Sequence, residues 1–257
     1  MLDITDLALG YGGTPVLDDL SLTVPASQFA ALVGPSGCGK SSILRAVVGL
    51  HEPDRGSIDL DVDRRDVGFL FQDDALLPWR SARHNVALPL VIRGESRRAA
   101  EAEADVWLDR MGLSGLGDRF PQQLSGGQRK RVALAQSFAP RPRMLLMDEP
   151  FASLDAIVRH RVTADLLSWV ESHDITVVLV THDLEEAIAL SDRVHLMSNG
   201  PRANIVERYD IPLDRPRDLV ATRTDPQFAP LLEELWHGLA GVVDGVSSDR
   251  RRLEVQA

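Results

Sequence analysis

Hydrophobic positions along this chain change period several times, and each change marks an element. In residues 2–24 apolar side chains come in short alternating runs: Leu2 and Ile4, Leu7 and Leu9, then Leu17, Leu20, Leu22 and Val24. Such spacing predicts half-buried strands, with breaks at Tyr11-Gly12-Gly13 and Pro25. Phe29 to Val33 is continuously apolar and predicts a fully buried strand. Ser42 to Val48 then adopts helical spacing, placing Ile43, Leu44, Val47 and Val48 on one face. After a turn at 51–56, Ser57–Asp61 and Val67–Phe71 predict two more short strands.

From there to about residue 140 the character is helical. Glu95–Met111 is rich in Ala and charge, with Val106, Trp107 and Met111 as its apolar positions. A second helix opens at Leu124 and runs through Val132, Ala135 and Phe138, with Arg129-Lys130-Arg131 as a solvated face. The α/β pattern resumes at Met144–Met147, a buried strand ending in Asp148-Glu149-Pro150. Ser153-Leu154-Asp155 caps a helix striped by Val158, Val162, Leu166 and Val170. Ile175–Thr181 is a strand, Leu184–Leu190 a helix and Arg193–Ser198 a last strand. Phe228, Leu231, Leu232, Leu235, Trp236 and Leu239 follow i, i+3, i+4, i+7 spacing and predict one more amphipathic helix, before a frayed last dozen residues. The expected organisation is an α/β core of residues 1–76 and 143–222, a helical insert at about 77–142, and a helix with tail at 223–257.

Composition narrows the function. With 28 Lys+Arg against 38 Asp+Glu the net charge is −10, unsuited to wrapping nucleic acid. The single cysteine, Cys38, excludes an intramolecular disulfide and fits a reducing cytoplasm. Met1-Leu2-Asp3-Ile4-Thr5-Asp6 carries acids where a secretory leader carries positive charge. No stretch approaches the roughly 18 apolar residues of a membrane span, so membrane association is expected through a partner.

The chemistry centres on Gly34-Pro35-Ser36-Gly37-Cys38-Gly39-Lys40-Ser41, a complete G-x-x-x-x-G-K-[ST] phosphate loop between a predicted strand and a predicted helix. Glycines at 34, 37 and 39 permit positive φ and close backbone approach to an anion. The following helix offers free N–H groups and the positive end of its dipole. Lys40 is a point charge for β- and γ-phosphates, and the Ser41 hydroxyl is a hard ligand for Mg²⁺. Asp148 and Glu149 emerge at the C-terminal end of a core strand, where open α/β sheets bind ligands. Asp148 suits Mg²⁺ held through its water shell, and Glu149 suits the orientation or deprotonation of an attacking water. His182, at the end of another core strand, can reach a γ-phosphate.

Taken in order, these pieces resemble the ATP-binding subunit of an ATP-binding-cassette (ABC) transporter over residues 2 to about 220. The motifs that carry the resemblance are the phosphate loop at 34–41, Gln72, Leu124-Ser125-Gly126-Gly127-Gln128, Asp148-Glu149, Ser153-Leu154-Asp155 and His182. It implies an α/β P-loop NTPase (RecA-like) core with an antiparallel β-subdomain and an inserted α-helical subdomain. It also implies that ATP and Mg²⁺ are bound by the loop residues, Ser42 included, with Tyr11 stacked on adenine. Gln72 is implied as the sensor of Mg²⁺ and water that reports to the membrane partner. Ser125, Gly126, Gly127 and Gln128 are implied to face the γ-phosphate held by Lys40 of a second copy, in a head-to-tail homodimer through ATP. Phe71 to Trp79 and Asp148-Glu149-Pro150-Phe151 look like the nitrate/sulfonate/taurine group of bacterial importers. Two positions depart from the family: Ser42 where Thr is frequent, and Gln136 where the signature helix commonly carries Arg.

The resemblance thus implies a peripheral ATPase on the cytoplasmic face of the inner membrane. Its partners are an integral membrane permease and, indirectly, an extracytoplasmic solute-binding protein. Two alternatives stand beside it: the ATPase subunit of an exporter or lipid-transport system, and a soluble ATPase of the same superfamily acting on DNA or ribosomes.

Overall fold

A computed structural model describes residues 1–152 and 154–244. Ser153 of the expected cap and the expected frayed tail lie outside the described residues. The described chain forms two compact units, one from Met1–Asp61 together with the chain from Thr176 on, the other from Val62–Ile175.

The first unit contains an antiparallel sheet of β1 (Leu2–Tyr11), β2 (Thr14–Val24) and β4 (Arg55–Leu60), in the order β2-β1-β4. Its apolar pattern explains its irregularities. Leu2 and Ile4 share one face, and strict alternation would put Leu7 and Leu9 on the other. A register shift between Ile4 and Leu7 absorbs the odd residue, with Asp6 at φ 49°, and all four side chains are buried. β2 makes the matching adjustment at Asp19 (φ 54°), between Leu17 and Leu20. Both bulges therefore sit where the hydrophobic period slips by one.

The second sheet of this unit has β3 (Phe29–Val33) between β7 (Thr176–Val180) and β8 (Arg193–Met197), parallel to both. Every residue of β3 and β7 is buried, which is why these strands are continuous apolar runs. β9 (Ile205–Asp210) pairs antiparallel with β8 and was not foreseen from the sequence. Its residues alternate between half-buried and exposed, so no apolar run announces it. On β8, His195 is only 1% exposed, and burial, then Arg208 and Arg193, lower its pKa to about 4.

Among the described residues four helices belong to this unit: α1 (Lys40–Val47), α6 (Leu184–Leu190), α7 (Leu219–Thr224) and α8 (Phe228–Val243). The α8 stripe is shallower than its spacing suggested. Phe228 and Leu235 are buried, but Trp236 lies 57% exposed.

The second unit pairs β5 (Val67–Leu70) with β6 (Met144–Asp148) in parallel. Around them stand α2 (Ala82–Ile92), α3 (Arg97–Arg110), α4 (Gly126–Phe138) and α5 (Ala156–Ser172). In and after α3, Trp107 and Met111 are buried as expected, whereas Val106 is exposed and Ala100, Ala104 and Leu108 complete the inner face. Trp107, Phe138 and Trp169 form an aromatic cluster joining α3, α4 and α5, with ring centroids 5.1–5.9 Å apart. Asn85 fixes the connection ahead of α2: it accepts from the Leu77 amide and donates to the carbonyls of Leu77, Arg80 and Ser81.

Candidate functional site

The phosphate loop leaves the C-terminal end of β3 and enters α1 directly. Gly34, Gly37 and Gly39 all have positive φ, at 155°, 79° and 98°. At Gly39 a Cβ would meet Leu17 Cδ2 at 2.7 Å and Val16 Cγ1 at 2.8 Å, so glycine is required there by both conformation and space. Gly39 is also the N-cap of α1, and no side chain caps the helix. The first turn is therefore left to bind an anion through backbone amides and dipole.

Lys40 is 8% exposed and spans the loop it belongs to. Its Nζ donates to the carbonyls of Gly34 (2.8 Å) and Pro35 (2.9 Å), with Cys38 Sγ at 3.7 Å. Cys38 itself is buried inside the loop. Tyr11 presents its ring at the surface beside this loop. Its hydroxyl donates to Ser42 Oγ at 3.2 Å, and the ring packs on His51 at 4.4 Å between centroids. Ser42 thus uses its hydroxyl to place Tyr11, which makes the Ser found here sufficient for that contact.

His182 follows β7, the parallel neighbour of β3, with Leu32 opposite Val180. Both the loop and His182 consequently leave the same edge of the sheet. The turn around His182 is held by Thr181 Oγ1, which accepts from the Asp183 amide, and by Asp183, which accepts from the Glu186 amide as the cap of α6. The imidazole is exposed.

In the other unit, Gln72 lies two residues beyond β5, and Asp148 and Glu149 end the parallel strand β6, with Leu70 opposite Met147. These three groups share one edge of that strand pair. Asp148 is 2% exposed. Glu149 takes a left-handed backbone conformation (φ 46°), a conformation that costs a non-glycine residue on the order of 1 kcal/mol or more. Gln72 is exposed.

Ser125–Gln128 starts α4 as a capping box: Ser125 Oγ accepts from the Gln128 amide (3.3 Å) and Gln128 Oε1 accepts from the Ser125 amide (2.9 Å). Gln128 is occupied in this bond. The S-x-x-Q spacing of Ser125 and Gln128 is itself a capping signal in the sequence. One residue of the expected solvated face is not solvated at all. Lys130 is 2% exposed, and its Nζ donates to the carbonyls of Phe71 and Gln72, both at 3.0 Å. Burial lowers its pKa, while Asp74, Asp148, Asp73 and Glu149 act in the opposite direction. Gln136, the second departure from the family pattern, lines a cavity of about 710 Å³ with Phe69, Phe71, Asp74 and Ile92.

The structure thus gathers Tyr11, the loop residues 34–42 and His182 in one unit, and Gln72, Ser125–Gln128, Asp148 and Glu149 in the other. The candidate cation ligands, Ser41, Gln72 and Asp148, offer oxygen donors only. That set fits Mg²⁺ rather than a metal that prefers sulfur or imidazole.

Comparison with known proteins gives a consistent picture. A family model described as "ABC transporter" matches residues 17–152. The aliphatic sulfonates import ATP-binding protein SsuB 2 of Agrobacterium fabrum is 47% identical over 240 residues, covering 91% of this chain and 87% of that protein. The nitrate import ATP-binding protein NrtD of Synechococcus elongatus is 40% identical over 229 residues, covering 85% and 82%. Among solved structures, the dimeric post-hydrolysis state of the ATP-binding cassette MJ0796 bound to ADP and Pi superimposes with a TM-score of 0.76. It is 28% identical, and the match covers 83% of this chain and all of that one.

Proposed function

Since this chain belongs to the ABC transporter family, we propose that it is the subunit that energises a bacterial importer of a small oxoanion, such as an alkanesulfonate, taurine or nitrate. It is an ATPase coupled to transport, with the α/β P-loop NTPase fold. The observation that carries the reading is the phosphate loop, in which α1 starts without a side-chain cap and Lys40 Nζ is held against the loop carbonyls of Gly34 and Pro35. The oxoanion is supported by its relatives, which import sulfonates in one case and nitrate in another.

In this reading Tyr11 stacks on the adenine, and residues 34–42 bind the phosphates, with Lys40 neutralising charge on the β- and γ-groups. Ser41, Gln72 and Asp148 hold Mg²⁺, which when bound offsets negative charge on the phosphate oxygens. Glu149 polarises the attacking water and His182 contacts the γ-phosphate. A head-to-tail homodimer brings Ser125, Gly126, Gly127 and Gln128 of each copy to the nucleotide of the other. Gln128 serves there through its cap, by fixing the Ser125 hydroxyl and the two glycine amides in direction.

Among the described residues no helix is long and apolar enough to cross a membrane. In this reading the membrane-spanning part is a separate permease, fed from outside by a solute-binding protein, with this subunit on the cytoplasmic face. The cavity beside Phe71 and Asp74 adjoins Gln72, and we assign the permease contact to it. The domain reading keeps a cassette over 1–222, with its core at 1–76 and 143–222 and insert at about 77–142, followed by a helix and tail at 223–257. The net charge of −10 argues against nucleic acid as a partner.

Disruption of the gene tests the solute directly. The disrupted strain should fail to grow on alkanesulfonates or taurine as sole sulfur source, or on nitrate as sole nitrogen source. Normal growth on all three overturns the oxoanion. At the level of chemistry, Glu149→Gln should slow hydrolysis roughly 100-fold or more while MgATP still binds. Near-normal turnover removes Glu149 as the base.

A further inference from the structure

Lys130 has no part in the reading above, yet it is the most deeply buried ammonium among the described residues. An ammonium carried into a protein interior is costly unless acceptors surround it. Here the acceptors are specific: the carbonyl oxygens of Phe71 and Gln72, each at 3.0 Å. Neighbouring carboxylates at Asp73, Asp74, Asp148 and Glu149 supply a compensating negative field. The preceding residue of the helix does similar work from outside. Arg129 donates through Nε to Asp74 Oδ2 (3.1 Å) and through Nη1 to the Leu124 carbonyl (2.9 Å). Two consecutive cations of α4 therefore clip residues 71–74 to the start of the helix that presents Ser125.

We propose that Lys130 is the positioning residue for Gln72: its buried ammonium holds the Phe71–Gln72 backbone on α4, so that the exposed Gln72 side chain is delivered from a fixed base. The proposal builds on the role of Gln72 given under the proposed function. It adds a physical link between the Gln72 segment and the Ser125–Gln128 segment, which the hydrogen bonds make one body. The geometry requires a long donor with more than one hydrogen at this position. A methionine of similar length would leave both carbonyls without that donor. A glutamine offers an amide that can still donate to the loop.

Hydrogen–deuterium exchange on the nucleotide-free protein reads the clip without any reaction. Lys130→Met should speed exchange in the peptide spanning 70–77 by about tenfold, leaving α3 (97–110) at its normal rate. Lys130→Gln should recover most of that protection. In the same variants, the Mg²⁺ concentration for half-maximal hydrolysis should rise several-fold in Lys130→Met, while binding of a fluorescent ATP analogue stays unchanged. An unaltered exchange rate at 70–77 overturns the proposal. So does acceleration spread evenly over 62–175, which would make Lys130 a general stabiliser. Gln72→Ala separates the two levels: normal hydrolysis and normal Mg²⁺ dependence there would remove the role of Gln72, while the exchange data on Lys130 would still decide the clip.

Discussion

Two helix starts to which the proposed function gives a phosphate are built by opposite means. α1 begins at Gly39, in a left-handed conformation, with no side chain on its first amides. α4 begins at Ser125, in an extended conformation, with its first turn closed by the reciprocal Ser125–Gln128 cap. The open start leaves its first amides to solvent or an anion, and Lys40 concentrates positive charge there. The closed start is stable without a ligand, and it still offers the Ser125 hydroxyl hydrogen and the amides of Gly126 and Gly127. The difference separates binding from completion. In the proposed function the first end grips a nucleotide alone, whereas the second meets a nucleotide that another copy already holds.

Substitutions should break this contrast with graded severity. The largest effect falls on the open end. Lys40→Ala removes the loop's cation and should weaken ATP binding about a hundredfold or more by calorimetry. Unchanged affinity would show that the amides suffice. On the closed end, Ser125→Arg should block hydrolysis about as strongly while ATP still binds to a single copy, because the bulk enters only when two copies meet. Mixing Ser125→Arg with Lys40→Ala subunits leaves one intact composite site per mixed dimer. Activity returning in the mixture supports completion in trans. Normal hydrolysis by Ser125→Arg alone, at a rate per subunit independent of dilution, would refute it.

A milder test makes the open end resemble the closed one. Gly39→Ser adds a potential cap but forces a Cβ against Leu17 and Val16 at a φ of 98°. It should lower ATP affinity roughly tenfold, with a strain cost of about 1–2 kcal/mol. Equal affinity would show that the start of α1 need not stay open. The smallest effect belongs to Gln128→Ala, which deletes half the capping box and should cost about 0.5–1 kcal/mol. Melting should shift by only a few degrees and nucleotide binding not at all. A large loss of binding would mean that Gln128 touches the ligand itself.

Much of this was legible because the signals were local. Phe29–Val33, Met144–Asp148 and Leu184–Leu190 have the same boundaries, to within a residue, in pattern and structure. The phosphate loop declares itself because its glycines are demanded by backbone conformation, which a sequence records directly. What stayed hidden depends on distant partners. Lys130 looks like its solvated neighbours until the carbonyls of Phe71 and Gln72, about sixty residues away, supply its acceptors. Glu149 reads as a carboxylate at a strand end, but nothing in the sequence gives its left-handed backbone. β9 hides for the opposite reason, since a half-exposed edge strand buries too little to leave an apolar run.

His195 gives the first unit a sensitivity to protons that the nucleotide chemistry does not require. The folded chain holds this imidazole neutral down to about pH 4, with Arg193 and Arg208 opposing its charge and Asp210 favouring it. Once unfolded, the same ring protonates near its ordinary pKa of about 6.5. Between those two values the unfolded state binds the extra proton, so acidification draws the equilibrium away from the native fold. Above about pH 6.5 the effect vanishes, and by pH 4 it amounts to roughly 3 kcal/mol, a large fraction of a typical domain's stability. The fold of this subunit is therefore expected to lose stability steadily as pH falls below about 6.5, whether or not nucleotide is being turned over.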